Sequence, residues 1–138
     1  MYKPPLILIV DDDILDTKIL LRSLSDTNFN CRTYITRNGK EALEYLNNIG
    51  NEKPWLIFTD ISMPIMDGIQ FLKERMKHKD LRSIPTIVLT TSSESEDKED
   101  CFKSGVSGYM VKPIDYKEFK EIIISIKNYW LKSEVAHL

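Results

Sequence analysis

Leu56-Ile57-Phe58-Thr59-Asp60-Ile61-Ser62-Met63-Pro64 decides the fold. An apolar run ends on an ionisable residue, Asp60, and a proline turn follows at once, the pattern of a core strand that delivers a charge to the rim of a sheet. Two other runs break off in the same way. Leu6-Ile7-Leu8-Ile9-Val10 stops at Asp11-Asp12-Asp13, and Thr86-Ile87-Val88-Leu89 stops at Thr90-Thr91-Ser92-Ser93. In a parallel arrangement these polar ends meet along one edge.

Working outward, the first strand is apolar throughout, as in a strand covered on both faces. The spacing then predicts a helix over about 14–26 with Ile14, Leu15, Ile19, Leu20 and Leu24 on its inner side. Cys31–Thr36 alternates and reads as a more exposed strand near a sheet edge. After the Asn38-Gly39 turn, Ala42, Leu43, Leu46 and Ile49 fall at helical spacing. Behind Asp67, a candidate cap, Ile69, Leu72 and Met76 line a third helix. The helix at about 94–104 is poor in apolar residues, with only Cys101 and Phe102, and is the candidate moving part. A strand at 108–111 leads to Lys112-Pro113. The last helix opens with the capping-box pattern Asp115-x-x-Glu118 and carries Phe119, Ile122, Ile123, Ile126 and Trp130 on one stripe. Five strands alternating with five helices predict an α/β fold, a five-stranded parallel sheet wrapped on both faces. Ligands of such sheets sit beyond the carboxyl ends of the strands, where strand order reverses.

The bulk composition agrees with one globular domain and narrows the function. In 138 residues, 42% are hydrophobic and 29% charged, and the formal charge is −2 with no long basic run. Nucleic-acid binding by this chain alone is disfavoured. Two cysteines without CxxC spacing fit a reducing cytoplasm. The apolar run after Pro5 is too short for a secretory or membrane-spanning segment, so a cytoplasmic location without membrane attachment is expected.

The converging carboxylates are Asp11, Asp12 and Asp60. Two such charges about 4 Å apart repel by roughly 4 kcal/mol at an effective dielectric near 20, so the cluster calls for a cation. All-oxygen donors open to water suit Mg2+. Lys112 adds a mobile positive charge and the Thr90 hydroxyl a donor for an anionic oxygen. A nucleophilic aspartate, a metal, a lysine and a hydroxyl make a phosphoryl-transfer site, with Asp60 as nucleophile and an aspartyl phosphate as product.

Val10-Asp11-Asp12, Asp60-x-x-Met63-Pro64-x-Met66-Asp67-Gly68, Thr90 and Lys112-Pro113 together resemble the signature of bacterial response-regulator receiver domains, which have the flavodoxin-like fold. The resemblance covers residues 5–131, leaving 132–138 as a tail with no output domain. It implies that Asp60 is the phosphoacceptor, that Asp11 and Asp12 are the acid pair, and that Ser62 binds the metal through its backbone carbonyl. It further implies that Thr90 and Lys112 contact the phosphoryl group, that Tyr109 is an aromatic switch, and that the Lys112–Pro113 peptide is cis. The partners implied are a histidine kinase and a downstream protein or phosphotransfer protein. Self-phosphorylation from small donors and autodephosphorylation belong to the same expectation. The signalling surface would be formed by the helix at about 94–104, the strand 108–111 and the last helix, which also offers a homodimer face. Residues Ile84–Ser92 and Tyr129-Trp130 are similar to the stand-alone regulators that partner bacterial phytochromes. Thr91 departs from the family's usual small residue and narrows access to Asp60.

Plainer readings stand beside these. Asp13 is read as a surface cap, Asp67-Gly68 as a structural turn, and His78 and His137 as surface residues without metal-ligand partners. Tyr109 suits a packed core aromatic as well as a switch. An aspartate-nucleophile phosphatase wants a second acid two residues after the nucleophile, where this chain has Ser62. A flavin-binding module of this topology would meet its phosphate with Asp11–Asp13, which repel it. The remaining rival is an interaction module that no longer depends on phosphate.

Overall fold

The computed structural model describes residues 3–132. The elements run β1 (Leu6–Val10), α1 (Ile14–Asp26), β2 (Arg32–Thr36), α2 (Gly39–Asn47), β3 (Leu56–Thr59), α3 (Gly68–Met76), α4 (Lys79–Arg82), β4 (Thr86–Thr90), α5 (Ser95–Lys103), β5 (Gly108–Val111) and α6 (Tyr116–Lys132). All strand pairs are parallel, in the order β2-β1-β3-β4-β5. The chain leaves β1 toward β2 and returns to β3 on the other side, so strand order reverses between β1 and β3. The ends of those two strands carry Asp11 and Asp60.

Alternation along each strand feeds two cores. Leu8, Val10, Ile57 and Val88 face one layer with Ala42, Leu46, Phe71, Leu72 and Cys101, contributed by α2, α3 and α5. Ile7, Ile9, Leu56, Phe58, Ile87 and Leu89 face the other, against Leu20 and Leu24 of α1 and Phe119, Ile123 and Ile126 of α6. The expected fold class and the stripe on the last helix are therefore present.

Several local expectations need correction. A sixth helix, the four-residue α4, precedes β4. Ile14 and Leu15 are 61% and 67% exposed, and the buried face of α1 is Thr17, Leu20, Ser23 and Leu24. The Asp13 side chain caps Asp16 N–H at 3.0 Å, which leaves the first turn at the crevice rim, beyond the packed face below. Ile49 is fully exposed because α2 has already ended at Asn47. The reciprocal capping box is at Asp67 and Gln70. Asp115 instead bonds Lys117 N–H at 2.8 Å, and among the described residues Glu118 makes no return bond. The Lys112–Pro113 peptide is trans, as are all peptides among the described residues. The tertiary amide itself favours trans, and in this form Lys112 N–H reaches the Thr90 carbonyl at 2.7 Å. Nearly all of the expected tail, and His137 with it, lies outside the described residues.

Arg75 is the largest fully buried side chain, on the helix face where sequence spacing suggested only apolar neighbours. Its guanidinium donates to the carbonyls of Ser104 at 3.2 Å, Arg82 at 3.2 Å and Ile84 at 3.0 Å. It thereby ties α3 to the segment entering β4 and to the C-terminal end of α5. Cys101 is the one buried residue within α5, so this helix has a thin apolar anchor.

Candidate functional site

Asp60 is placed by backbone pairing rather than by its own side chain. Its N–H donates to the Val10 carbonyl at 2.9 Å, extending the β1–β3 ladder by one residue. Gly68 then holds the return of the chain against it. A Cβ at position 68 would lie 2.0 Å from the Asp60 carbonyl oxygen, so only glycine lets α3 begin there. Gly68 N–H also donates to the Ile61 carbonyl at 2.8 Å. Asp11 is placed similarly, its N–H donating to the Thr36 carbonyl at 3.0 Å.

Between these supports the loop 61–67 contains one strained residue. Ile65 has φ of 69°, a left-handed conformation that a β-branched residue adopts at a cost of about 1–2 kcal/mol. Because Ile65 is 78% exposed, little packing is lost on its removal. Ile65→Gly is expected to raise stability by about 1 kcal/mol, after subtracting glycine's extra freedom in the unfolded chain. Urea unfolding checks this; an unchanged or lowered midpoint would remove strain as an account of the loop.

Lys112, leaving β5, is the centre of the charge arrangement. Its Nζ donates to Asp11 Oδ2 at 3.2 Å, Asp16 Oδ2 at 2.9 Å and Asp60 Oδ2 at 3.1 Å. The remaining oxygens of the inner pair are also engaged: Asp11 Oδ1 accepts from Asp13 N–H at 3.0 Å, and Asp60 Oδ1 from Ile61 N–H at 2.7 Å. Asp11 is buried at 9% side-chain exposure, Lys112 and Asp60 are partly buried at 11% and 13%, and Asp16 is more open at 31%. A cavity of about 60 Å³, lined by these four residues and by Thr59 and Pro113 among others, lies at the strand ends.

Burial raises the pKa of Asp11, opposed by the Asp13 amide and Lys112 and aided by the Asp60 charge. Burial also works against the charged form of Lys112, but Asp60, Asp11 and Asp16 outweigh it and hold the ammonium above its ordinary value. Lys112 is therefore a fixed cation at neutral pH. Three carboxylates around one ammonium leave two negative charges uncompensated, with one oxygen from each acid inside a 4.8 Å span. All-oxygen donors in that charge balance fit a hard divalent cation.

The expected site residues divide into those that meet and those that flank. Asp11, Asp60 and Lys112 converge as the strand ends implied. Asp12 is exposed on the loop after β1 and Ser62 is exposed on the loop after β3. Thr90 ends β4 almost fully buried, and its Oγ1 accepts from Ser92 N–H at 3.2 Å. Tyr109 is half-buried and its hydroxyl donates to the Ser92 carbonyl at 2.9 Å. Ser92 Oγ in turn donates to Asp97 of α5 at 2.7 Å, so the loop after β4 links Tyr109 to the start of that helix. Asp16 escaped the sequence reading. Its signal was Asp13-x-x-Asp16, which puts a second acid in the first turn of the helix that Asp13 caps.

This fold and site define a receiver domain. Residues 7–124 match the response regulator receiver domain family, and the chain belongs to it. The chain is 32% identical over 131 residues to the probable methanogenesis regulatory protein FilR2 of Methanothrix harundinacea, covering 93% of this chain and 84% of that one. It is 29% identical over 134 residues to the response regulator Rcp1 of Synechocystis, covering 94% and 91%. Among solved structures, the phosphorylated cyanobacterial phytochrome response regulator RcpA superposes with a TM-score of 0.89 at 26% identity, covering 98% of this chain and all of that one. The Mn2+-bound form of Rcp1 gives 0.87 at 27% identity, covering 97% of this chain and all of that one. The chain is thus a receiver-domain response regulator with an acidic cluster at its switch point. No helix among the described residues is long and apolar enough to cross a membrane.

Proposed function

We propose that this chain is a phosphorylation switch in which Asp60 accepts a phosphoryl group from the phosphohistidine of a histidine kinase in the cytoplasm. The observation that carries this reading is Lys112 Nζ shared between Asp60 and Asp11 at 3.1 and 3.2 Å. In the transfer, an Asp60 carboxylate oxygen bonds to phosphorus while the phosphorus–nitrogen bond breaks and the imidazole leaves, taking a proton. Lys112 turns a donor from the Asp60 carboxylate to a phosphoryl oxygen, and the Thr90 hydroxyl donates to another. Mg2+ would be held by Asp11, Asp12, Asp60 and the carbonyl of Ser62. When bound, it neutralises the acids and the charge on the transferring group. The likeness to RcpA, a cyanobacterial phytochrome response regulator, favours a phytochrome-type kinase as the donor.

The signal leaves through the loop after β4. Drawing Thr90 toward the phosphoryl group pulls on its bond with Ser92, to which Tyr109 and Asp97 are both tied. Tyr109 then turns inward and the start of α5 shifts, changing the surface of α5, β5 and α6 that a downstream protein, a phosphotransfer protein or a second copy reads.

Intact-mass spectrometry after incubation with acetyl phosphate or phosphoramidate, with and without Mg2+, tests the reading. A single phosphoryl adduct that requires Mg2+ and is released by hydroxylamine is expected. A negative result is repeated with a histidine kinase as the donor. No adduct from either source overturns the reading in favour of a phosphate-independent interaction module.

A further inference from the structure

Asp16 has no part in the transfer described above, yet it makes the shortest of the three contacts to Lys112, at 2.9 Å. All three ammonium donors of Lys112 are spent on carboxylates. Asp16 lies in the same 4.8 Å cluster as Asp11 and Asp60, but in the proposed function the divalent cation is held by the inner pair, which would offer it oxygens that now accept from the lysine. A dication and an ammonium repel, so occupation of the inner pair weakens two of the three contacts that keep Lys112 in place. The third contact differs in origin. Asp16 stands on the first turn of α1, where the cap by Asp13 and the helix dipole favour a negative charge. It is more open to solvent than the inner pair and approaches Lys112 from the helix instead of from the strand ends.

We propose that Asp16 is a positioning residue for Lys112, holding the ammonium at the site when a divalent cation takes up Asp11 and Asp60. Rigid placement of Lys112 at that stage is what lets it meet the incoming phosphoryl group without a search. Asp16 thereby makes the metal and the lysine compatible in one small site. The inference rests on the phosphoacceptor reading for its purpose, but its structural claim stands on Lys112 alone.

The test follows the Lys112 side-chain ammonium by NMR during Mg2+ titration, in the native chain and in Asp16→Asn. Native Lys112 is expected to stay ordered as Mg2+ binds. In Asp16→Asn it should acquire the signals of a mobile, solvated lysine once Mg2+ is added, and the phosphorylation rate should fall about tenfold. The loss of Mg2+ affinity on Asp16→Asn in a Lys112→Ala background should stay below about tenfold, under the range usual for ligands and their direct hydrogen-bond partners. In a Lys112→Ala background, Asp16→Asn should have no further effect on the rate. Lys112 remaining ordered in Mg2+-loaded Asp16→Asn overturns the proposal. So does an Mg2+ affinity loss of about tenfold or more that persists without Lys112, which would make Asp16 a metal ligand. If the native chain itself takes no phosphate from a small donor or a kinase, the phosphoacceptor reading fails instead, and the NMR result still decides the role of Asp16.

Discussion

Asp60→Asn is expected to abolish the phosphoryl adduct while leaving the fold intact. The amide oxygen can keep the hydrogen bond that Asp60 Oδ1 now accepts from Ile61 N–H at 2.7 Å, while the amide NH2 replaces the oxygen that accepts from Lys112 at 3.1 Å, so that one contact is lost without disturbing the backbone. What the amide cannot supply is the anionic nucleophile, so no acyl phosphate forms. Asp11 and Asp16 do not substitute. Asp11 is the most buried of the trio, with its second oxygen held by the Asp13 amide, and Asp16 lies out on α1. The change also removes one of the uncompensated charges, so Mg2+ affinity should drop by about tenfold or more. Native-like circular dichroism with no adduct by mass spectrometry is the expected pair of results. An adduct of undiminished yield on Asp60→Asn would move the acceptor to another acid.

The central site was legible because chain direction and strand ends suffice to place it. An apolar run that stops at an ionisable residue says which side chain reaches the rim, and parallel strands bring Asp11, Asp60, Thr90 and Lys112 to one edge. The acidic run after β1 was harder. Asp11 continues the sheet, bonded to the Thr36 carbonyl, and points inward, whereas Asp12 is already on the exposed loop. One register step separates the two, and a run of identical residues gives no signal for it. Helix phase failed in the same place. Ile14 and Leu15 look like core residues by type, but the first turn of α1 stands at the crevice rim. The least legible residues were charged ones within helices. Asp16 and Arg75 carry no mark of their own in the sequence, since their partners lie outside their helices: Lys112 for one, and the Arg82, Ile84 and Ser104 carbonyls for the other.

Arg75→Ala is expected to destabilise the protein by about 3–5 kcal/mol, through a cavity and the loss of a donor to three carbonyls, of which, among the described residues, only that of Ile84 keeps another, the Thr86 hydroxyl at 3.1 Å. For a domain of typical stability, about 5–15 kcal/mol, that is a large share. Among the described residues Arg75 has no carboxylate partner, and its Nε has no hydrogen-bond partner at all. Its charge faces carbonyl dipoles instead, including that of Ser104 at the negative end of α5. Burial pulls its pKa down to about 10, still well above neutrality, so the guanidinium remains charged in the folded protein. The folded value lies below the unfolded one, so burying this charge subtracts stability at every pH below it, and deprotonation would relieve the penalty. The clamp's contribution should therefore be constant between about pH 5 and about pH 9. Arg75→Met separates packing from charge. It keeps most of the volume and removes both the desolvated cation and the orphaned Nε, so its cost should be smaller, about 1–3 kcal/mol from the unpaired carbonyls. Denaturant unfolding gives the totals, and amide exchange gives the location. Since Arg75 ties the C-terminal end of α5, protection in Arg75→Met should fall first around residues 101–106, while β1 and β3 keep theirs. A variant as stable as the native chain, with unchanged exchange there, would mean that Cys101 and the loop after β4 hold α5 without the arginine. The hold on α5 would then lie at its other end.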